Sequence, residues 1–261
     1  MNKATQNIAL MGHIVAGFPN FAQSLDSAIG IAIGGAEYLE VQFPFSDPNA
    51  DGIAIANACE IALKNGFNTD LGFHFIAELQ EKLKTLNCHT KLIIMTYGNI
   101  LFCYGIKKFL QKAKEVGVWG LIVPDLSLQN DENLFKDSKK LGLQNIALIA
   151  PFTTPKRMQE LNKASGEILY VIARNGITGD TTIINQNLLD YITLVKTNCT
   201  KPIALGFGIQ NKEQIQNLRG VVPIVVVGSA FVRYITNLCY NSKDHKTITQ
   251  SLKNFTQNLL E

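Results

Sequence analysis

The sequence predicts a single (β/α)8 barrel, the TIM-barrel architecture, on three grounds. Eight short apolar runs alternate with amphipathic helical segments along the chain. The length, 261 residues, is close to the ~250 residues typical of eight such units. No Gly-x-Gly-x-x-Gly follows the first apolar run, as an open dinucleotide-binding sheet would prefer. No Pro/Ser-rich linker or low-complexity block interrupts the chain, so residues 1–261 read as one domain.

The predicted strands are residues 10–16, 38–42, 92–96, 121–123, 146–149, 168–172, 203–205 and 224–227. Between them the apolar residues recur at helical spacing over 21–33, 53–64 with 73–86, 106–116, 130–141, 155–163, 187–197, 211–218 and 230–239. A last amphipathic stretch, 246–260, closes the chain. Asn211 ahead of Lys-Glu-Gln reads as a helix N-cap, and Thr154-Pro155 places proline at a first helical position. Strict β–α alternation calls for parallel strands joined by helical crossovers.

Composition narrows the class. Lys plus Arg number 24 against 21 Asp plus Glu, a net charge of +3, and the basic residues are scattered. That argues against a nucleic-acid binder and is compatible with an anionic small-molecule substrate. The five cysteines, an odd count without a Cys-x-x-Cys pair, point to buried thiols in a reduced, cytoplasmic chain. The four histidines show neither His-x-His nor His-Glu-x-x-His spacing, so no metal site is expected. The N-terminal residues lack the pattern of a signal peptide, and no apolar run reaches the ~18 residues of a membrane span.

The stretch from Leu39 to Gly52 carries the most chemistry. Alternation places Leu39 and Val41 on one strand face and Tyr38, Glu40 and Gln42 on the other. Pro44 and Pro48 stop the strand, and an acidic loop with Asp47 and Asp51 follows. A carboxylate at a strand end followed by a stiff acidic loop is one way to present an acid/base pair. The same residues also suit a salt-bridged structural Glu40 and a turn-capping Asp51. In a barrel, active-site residues sit on loops leaving the C-terminal strand ends, where Glu40 and residues 44–52 fall.

Three glycine-rich segments follow predicted strands six, seven and eight. They are residues 174–182 (Arg-Asn-Gly-Ile-Thr-Gly-Asp-Thr-Thr), Gly206-Phe207-Gly208 and Gly228-Ser229-Ala230. Glycine lets backbone N–H groups approach an anion, and a helix N-terminus adds partial positive charge. Each motif alone is ordinary turn chemistry; three at successive strand ends favour a phosphate site. The Gly/Thr-rich 175–182 segment also has the composition of a lid.

These motifs together resemble the tryptophan synthase alpha chain family. Leu39-Glu40 with Pro44-Phe45-Ser46-Asp47-Pro48 and Ala50-Asp51-Gly52 is similar to the family's signature loop. Thr96-Tyr97-Gly98-Asn99, residues 120–126, Gly176-Ile177-Thr178-Gly179, Gly206-Phe207-Gly208 and Gly228-Ser229-Ala230 continue the match in order. The resemblance implies cleavage of indole-3-glycerol phosphate to indole and glyceraldehyde 3-phosphate, with Glu40 as main acid/base and Asp51 on the indole N–H. It assigns the phosphate to Gly179, Gly208, Gly228 and Ser229, and supporting places to Tyr170 and Thr178. It also implies an αββα assembly with a beta chain that carries pyridoxal phosphate, no cofactor being expected in this chain. The loop from Pro44 to Asp47 resembles the surface that communicates with that partner.

The chemistry suits the residues. Retro-aldol cleavage needs a proton delivered to indole C3, a proton taken from the glycerol hydroxyl, and stabilisation of charge developing on the ring. An apolar slot for the indole falls to Phe207, Ile122, Ile149 and Met95 near strand ends, though each equally suits ordinary barrel packing. Gln42 stands where the family usually has glycine, Ile53 and Ser127 where proline is usual, and His13 at a pocket position normally apolar or aromatic. The leading helix of the family is shortened here. Two other readings stand beside the lyase: a weakly active alpha-type subunit that mainly activates its beta partner, and another phosphate-binding barrel enzyme. The latter would expect a catalytic lysine or cysteine at a strand end.

Overall fold

The computed structural model describes residues 7–173, 184–206, 208–241 and 244–261. The first half of the chain runs β1 (Ala9–Val15), α1 (Phe21–Ile33), β2 (Tyr38–Gln42), α2 (Ile53–Lys64), α3 (Thr69–Thr85) and β3 (Lys91–Met95). It continues through α4 (Gly98–Tyr104), α5 (Ile106–Glu115), β4 (Gly120–Ile122), α6 (Leu134–Lys140), β5 (Gln144–Asn145) and β6 (Leu148–Ile149). The second half comprises α7 (Pro155–Ala164), β7 (Leu169–Ile172), α8 (Gln186–Asn198), β8 (Ile203–Gly206), α9 (Lys212–Leu218), β9 (Ile224–Val227), α10 (Ser229–Asn241) and α11 (His245–Leu260). The expectation of a shortened leading helix falls partly on residues 1–6, which lie outside the described residues.

All strand pairs are parallel, in the order β5-β4-β3-β2-β1-β9-β8-β7-β6. The two ends of that order belong to one chain segment. Ile146 N donates to Leu121 O at 2.9 Å, and Tyr170 N donates to Ala147 O at 3.0 Å. The sheet therefore closes on itself through residues 144–149. The fifth predicted strand is split because it changes partner midway, from β4 to β7.

Alternation sorts the side chains into two layers. Met11, Tyr38, Ile93, Ile122, Ile146, Ala204 and Ile224 fill the barrel interior. Leu10, Leu39, Val41, Ile94, Leu121, Val171 and Val225 point outward into the layer beneath the helices. The central strands carry apolar residues on both faces, as a fully covered parallel sheet requires. Glu40 and Gln42 lie on β2, between β1 and β3, and both are buried.

Caps set the helix starts. Asn211 accepts the Gln214 N–H at 3.0 Å and Thr154 accepts the Arg157 N–H at 3.3 Å, as predicted. Asn68 does the same for Leu71, so α3 begins four residues before its predicted start. The predicted 130–141 helix begins instead at Leu134. Glu132 and Asn133 adopt left-handed φ of 47° and 67°, while the Asp131 carboxylate takes the Phe135 N–H at 2.9 Å. The α4 helix was not predicted. Its first residue, Gly98, donates its N–H to Asp125 at 2.9 Å, and a Cβ there would stand 2.8 Å from Leu126 Cδ2.

On the outside of the barrel, α1 and α11 pack in close approach at Gly30. A Cβ at that position would lie 2.5 Å from the Thr249 carbonyl oxygen and 2.7 Å from Leu252 Cβ. Gly30→Val is expected to destabilise the fold by about 1–3 kcal/mol through overpacking, read as a lower melting temperature in thermal unfolding.

Candidate active site

Six residues singled out from the sequence meet around one cavity at the C-terminal ends of the strands. Glu40, Asp51, Tyr170, Gly208, Gly228 and Ser229 all line it, and its volume is about 410 Å³. That is within the range of small-molecule sites. Gly179, Thr178 and Phe207, also singled out, lie outside the described residues, as does the predicted lid segment. A larger depression of about 770 Å³ between Asp26 and Ser251 is an open groove on the outer helices α1 and α11, away from the strand ends.

Glu40 projects inward from β2 and is 5% exposed. Strand register places His13 of β1 directly beside it, with Nδ1 3.3 Å from Oε1. Burial alone would push the His13 imidazole down. The Glu40 carboxylate outweighs it, with Asp51 and Gln42 adding to the effect, and His13 is held above its ordinary value.

Asp51 reaches the cavity from the loop after β2. Its Oδ2 accepts two hydrogen bonds, from Gln42 Nε2 at 2.6 Å and from the Tyr97 hydroxyl at 2.9 Å. Tyr97 also receives the Ala50 N–H at 3.1 Å, and its ring stacks on Phe45 at 5.1 Å. The loop is thus tied to β3 on both sides of Pro48. Burial pushes the Asp51 carboxyl above its ordinary value, while His13, Gln42 and Tyr97 oppose that push. Gln42 Nε2 also lies 3.4 Å from Cys59 Sγ, whose thiol is pushed up to about 12 by burial and by the Asp51 charge.

Backbone lines the cavity as well, at the ends of β8 and β9. Gly228 joins β9 to the 13-residue helix α10, which starts at Ser229. The free N–H groups and partial positive charge of that helix start face the cavity. A Cβ at Gly228 would stand 3.8 Å from Ile55 Cδ1 and 3.9 Å from His13 Cβ, an ordinary contact. Gly208 has φ of 74°, a left-handed turn that favours glycine. Gly206 also lines the cavity. A Cβ there would stand 2.8 Å from the Tyr170 ring, so its absence makes room for the tyrosine. The Tyr170 hydroxyl is held well above its ordinary value by burial, with Glu40 and Asp51 adding to it.

Much of the remaining wall is apolar, and here one predicted residue is corrected. Met95 and Ile122 line the cavity, but Ile149 points outward into the helix layer. Leu148 takes its place, because β6 pairs with β7 in a register that turns the even-numbered residue inward. Sequence reasoning also missed Tyr97 as a hydrogen-bond partner of Asp51; its position just beyond the end of β3, in the Thr96–Asn99 motif, was the available signal. Among the described residues no group of three or more His, Cys, Asp or Glu side chains is placed to hold a metal ion. Among them, no helix is long and apolar enough to cross a membrane.

A family model described as tryptophan synthase alpha chain matches residues 1–261. The chain belongs to the tryptophan synthase alpha chain family. A tryptophan synthase alpha chain of Helicobacter hepaticus is 49% identical over 90% of this chain and 88% of the relative. Another from Desulfotalea psychrophila is 36% identical over 89% of this chain and 90% of the relative. Among solved structures, a tryptophan synthase complex from Pyrococcus furiosus superimposes with a TM-score of 0.83, at 27% identity and 98% coverage of both chains. A tryptophan synthase from Mycobacterium tuberculosis gives a TM-score of 0.85 at 27% identity, covering 97% of this chain and 91% of that one.

The two donors on Asp51 Oδ2 favour its ionised form. Tyr97→Phe is therefore expected to move the Asp51 titration still further upward, followed by carboxyl carbon NMR over a pH series.

Proposed function

We propose that this chain, as one catalytic domain, cleaves indole-3-glycerol phosphate to indole and glyceraldehyde 3-phosphate. One observation carries the reading: a single cavity is lined by two carboxyl groups, by the glycine-led start of α10 and by apolar side chains. That distribution matches a ligand with an aromatic ring at one end and a phosphate at the other.

The phosphate is held by the N–H groups at Gly228 and Ser229, with Gly208 contributing from the loop after β8 and Gly179 by family resemblance. The indole lies against Met95, Ile122 and Leu148, its ring nitrogen directed to Asp51. Glu40 delivers a proton to C3 of the ring, which leaves positive charge on the ring and its N–H. The Asp51 carboxylate, fixed by Gln42 and Tyr97, accepts that N–H and stabilises the charge. Removal of the proton from the adjacent glycerol hydroxyl then forms the aldehyde. The carbon–carbon bond breaks, and its electron pair returns to the ring, giving neutral indole. Glu40, having given up its proton, is the base for that second transfer. Tyr170 of β7 supports the carboxyl groups, and the family resemblance gives supporting roles to Thr178 and Phe207.

The chain works with a beta-chain partner, and a Pyrococcus furiosus relative of TM-score 0.86 is described as mutually activated in an α2β2 complex. Pyridoxal phosphate belongs to that partner, and no cofactor is assigned to this chain. The loop that carries Asp51 runs directly into Ile53, 77% exposed at the start of α2, so a partner seated on this rim reaches the catalytic loop. A cytoplasmic location fits the five free cysteines.

The deciding assay is indole release from indole-3-glycerol phosphate, in single turnover, with and without a beta chain. Glu40→Gln is expected to lower the rate at least ~10³-fold, in line with loss of a general acid/base, while ligand binding survives. A near-normal rate would exclude the role. Gly228→Asp, whose added carboxylate meets no steric obstacle at Cβ, is expected to weaken binding of glycerol phosphates about tenfold or more by charge repulsion. Unchanged affinity by calorimetry would refute the phosphate site.

A further inference from the structure

Two polar side chains in the barrel each have a buried end that the mechanism does not use. His13 and Gln42 face the interior from adjacent strands, and they are 3% and 0% exposed. Each is tied at one end to a catalytic carboxyl group: His13 Nδ1 to Glu40 at 3.3 Å, and Gln42 Nε2 to Asp51 at 2.6 Å. The other ends, His13 Nε2 and Gln42 Oε1, are buried with no hydrogen-bond partner among the described residues. One is a nitrogen able to donate and the other an oxygen able only to accept. A buried orphan of either kind is costly, and two complementary ones on neighbouring interior positions relieve both costs by joining.

We propose that His13 and Gln42 are positioning residues that link the two catalytic carboxyl groups, in the order Glu40–His13–Gln42–Asp51. The proposal rests on the assignment of those carboxyl groups under Proposed function. In the link, the imidazolium donates from Nδ1 to Glu40 and from Nε2 to Gln42 Oε1, while the amide donates to Asp51 Oδ2. The orientation of Asp51 is thereby tied to the Glu40 side of the site. No covalent step is involved, and neither residue needs to touch the substrate.

The link needs protons on both ring nitrogens. Besides Glu40 of β2 and Asp51 of the following loop, the titratable groups around this interior are Tyr170 of β7, Tyr97 ahead of α4 and Cys59 of α2. Both tyrosines and the thiol are held above their ordinary values, so they stay neutral while His13 titrates. Because His13 is raised above 6.5, the link is complete below that value and is lost as pH rises through the His13 titration.

The test is a double-mutant cycle of His13→Phe and Gln42→Met, both close in volume to the residues replaced, on the chain assembled with its beta partner. Each single variant is expected to lower kcat for indole release about tenfold with little change in KM, the size of one charge-assisted hydrogen bond. The double variant is expected to lose no more than about tenfold, because either substitution already breaks the link. The wild-type advantage over His13→Phe is expected to shrink as pH rises through the His13 titration. Losses that multiply to about a hundredfold, or a ratio independent of pH, would overturn the link while leaving the lyase reading intact. Gln42→Met supplies the pH comparison if His13→Phe fails to fold, since it removes the same link from the other side. A wild-type complex that releases no indole from the alpha site would overturn the function itself, and the link with it.

Discussion

A carboxyl group held inside a barrel of apolar side chains is the constraint on which the rim depends. Glu40 sits on a strand with neighbours on both sides, and the side chains around it include Met95 and Ile122. A buried acid without a partner is costly, and here the partner comes from the next strand at the same register level. One turn of alternation further along β2, Gln42 reaches the loop and holds Asp51; Tyr97 holds the same oxygen from the turn between β3 and α4. The loop that carries Asp51 is thus anchored to the barrel by polar contacts to β2 and to Tyr97 after β3, and by the Phe45–Tyr97 stack, rather than by its own turn alone.

The site combines two kinds of support. Glu40, His13 and Gln42 stand on strands whose backbone is paired on both sides, which fixes them closely. Asp51, Gly208 and Ser229 stand at loop or helix starts, where backbone can adapt to a ligand and to a partner chain. The division suits a reaction in which the proton-handling group must stay in place while the anion site and the rim accept substrate and release two products.

Much of this was legible in the sequence, for reasons particular residues make plain. Period-two alternation placed Glu40 inward, and the proline-bounded loop after it placed Asp51 at the rim. Glycine-rich segments after three successive predicted strands pointed to an anion site, and two of them, at Gly208 and Gly228, line the same cavity as Glu40 and Asp51. What escaped depended on contacts far apart in the chain. The Tyr97 hydroxyl meets Asp51 across 46 residues, and the Gly98–Asp125 bond that starts α4 spans 27. No local pattern encodes either. Alternation runs through the fifth strand with Ile146 and Leu148 inward and Ile149 outward; a continuous apolar run such as Ile146–Ile149 gives no sign of which residue turns inward. Gln42 and His13 were visible as departures from the family's pattern, but only three-dimensional register shows that each is bonded to a different carboxyl group.

The most direct test of the central claim is a crystal structure with a non-cleavable indolyl alkyl phosphate. The phosphorus is expected beside the Gly228 and Ser229 N–H groups, with the indole nitrogen in hydrogen-bond reach of Asp51 and ring C3 facing Glu40. A ligand bound with its phosphate away from the start of α10, or with its ring out of reach of both carboxyl groups, would contradict the assignment of this cavity as the lyase site.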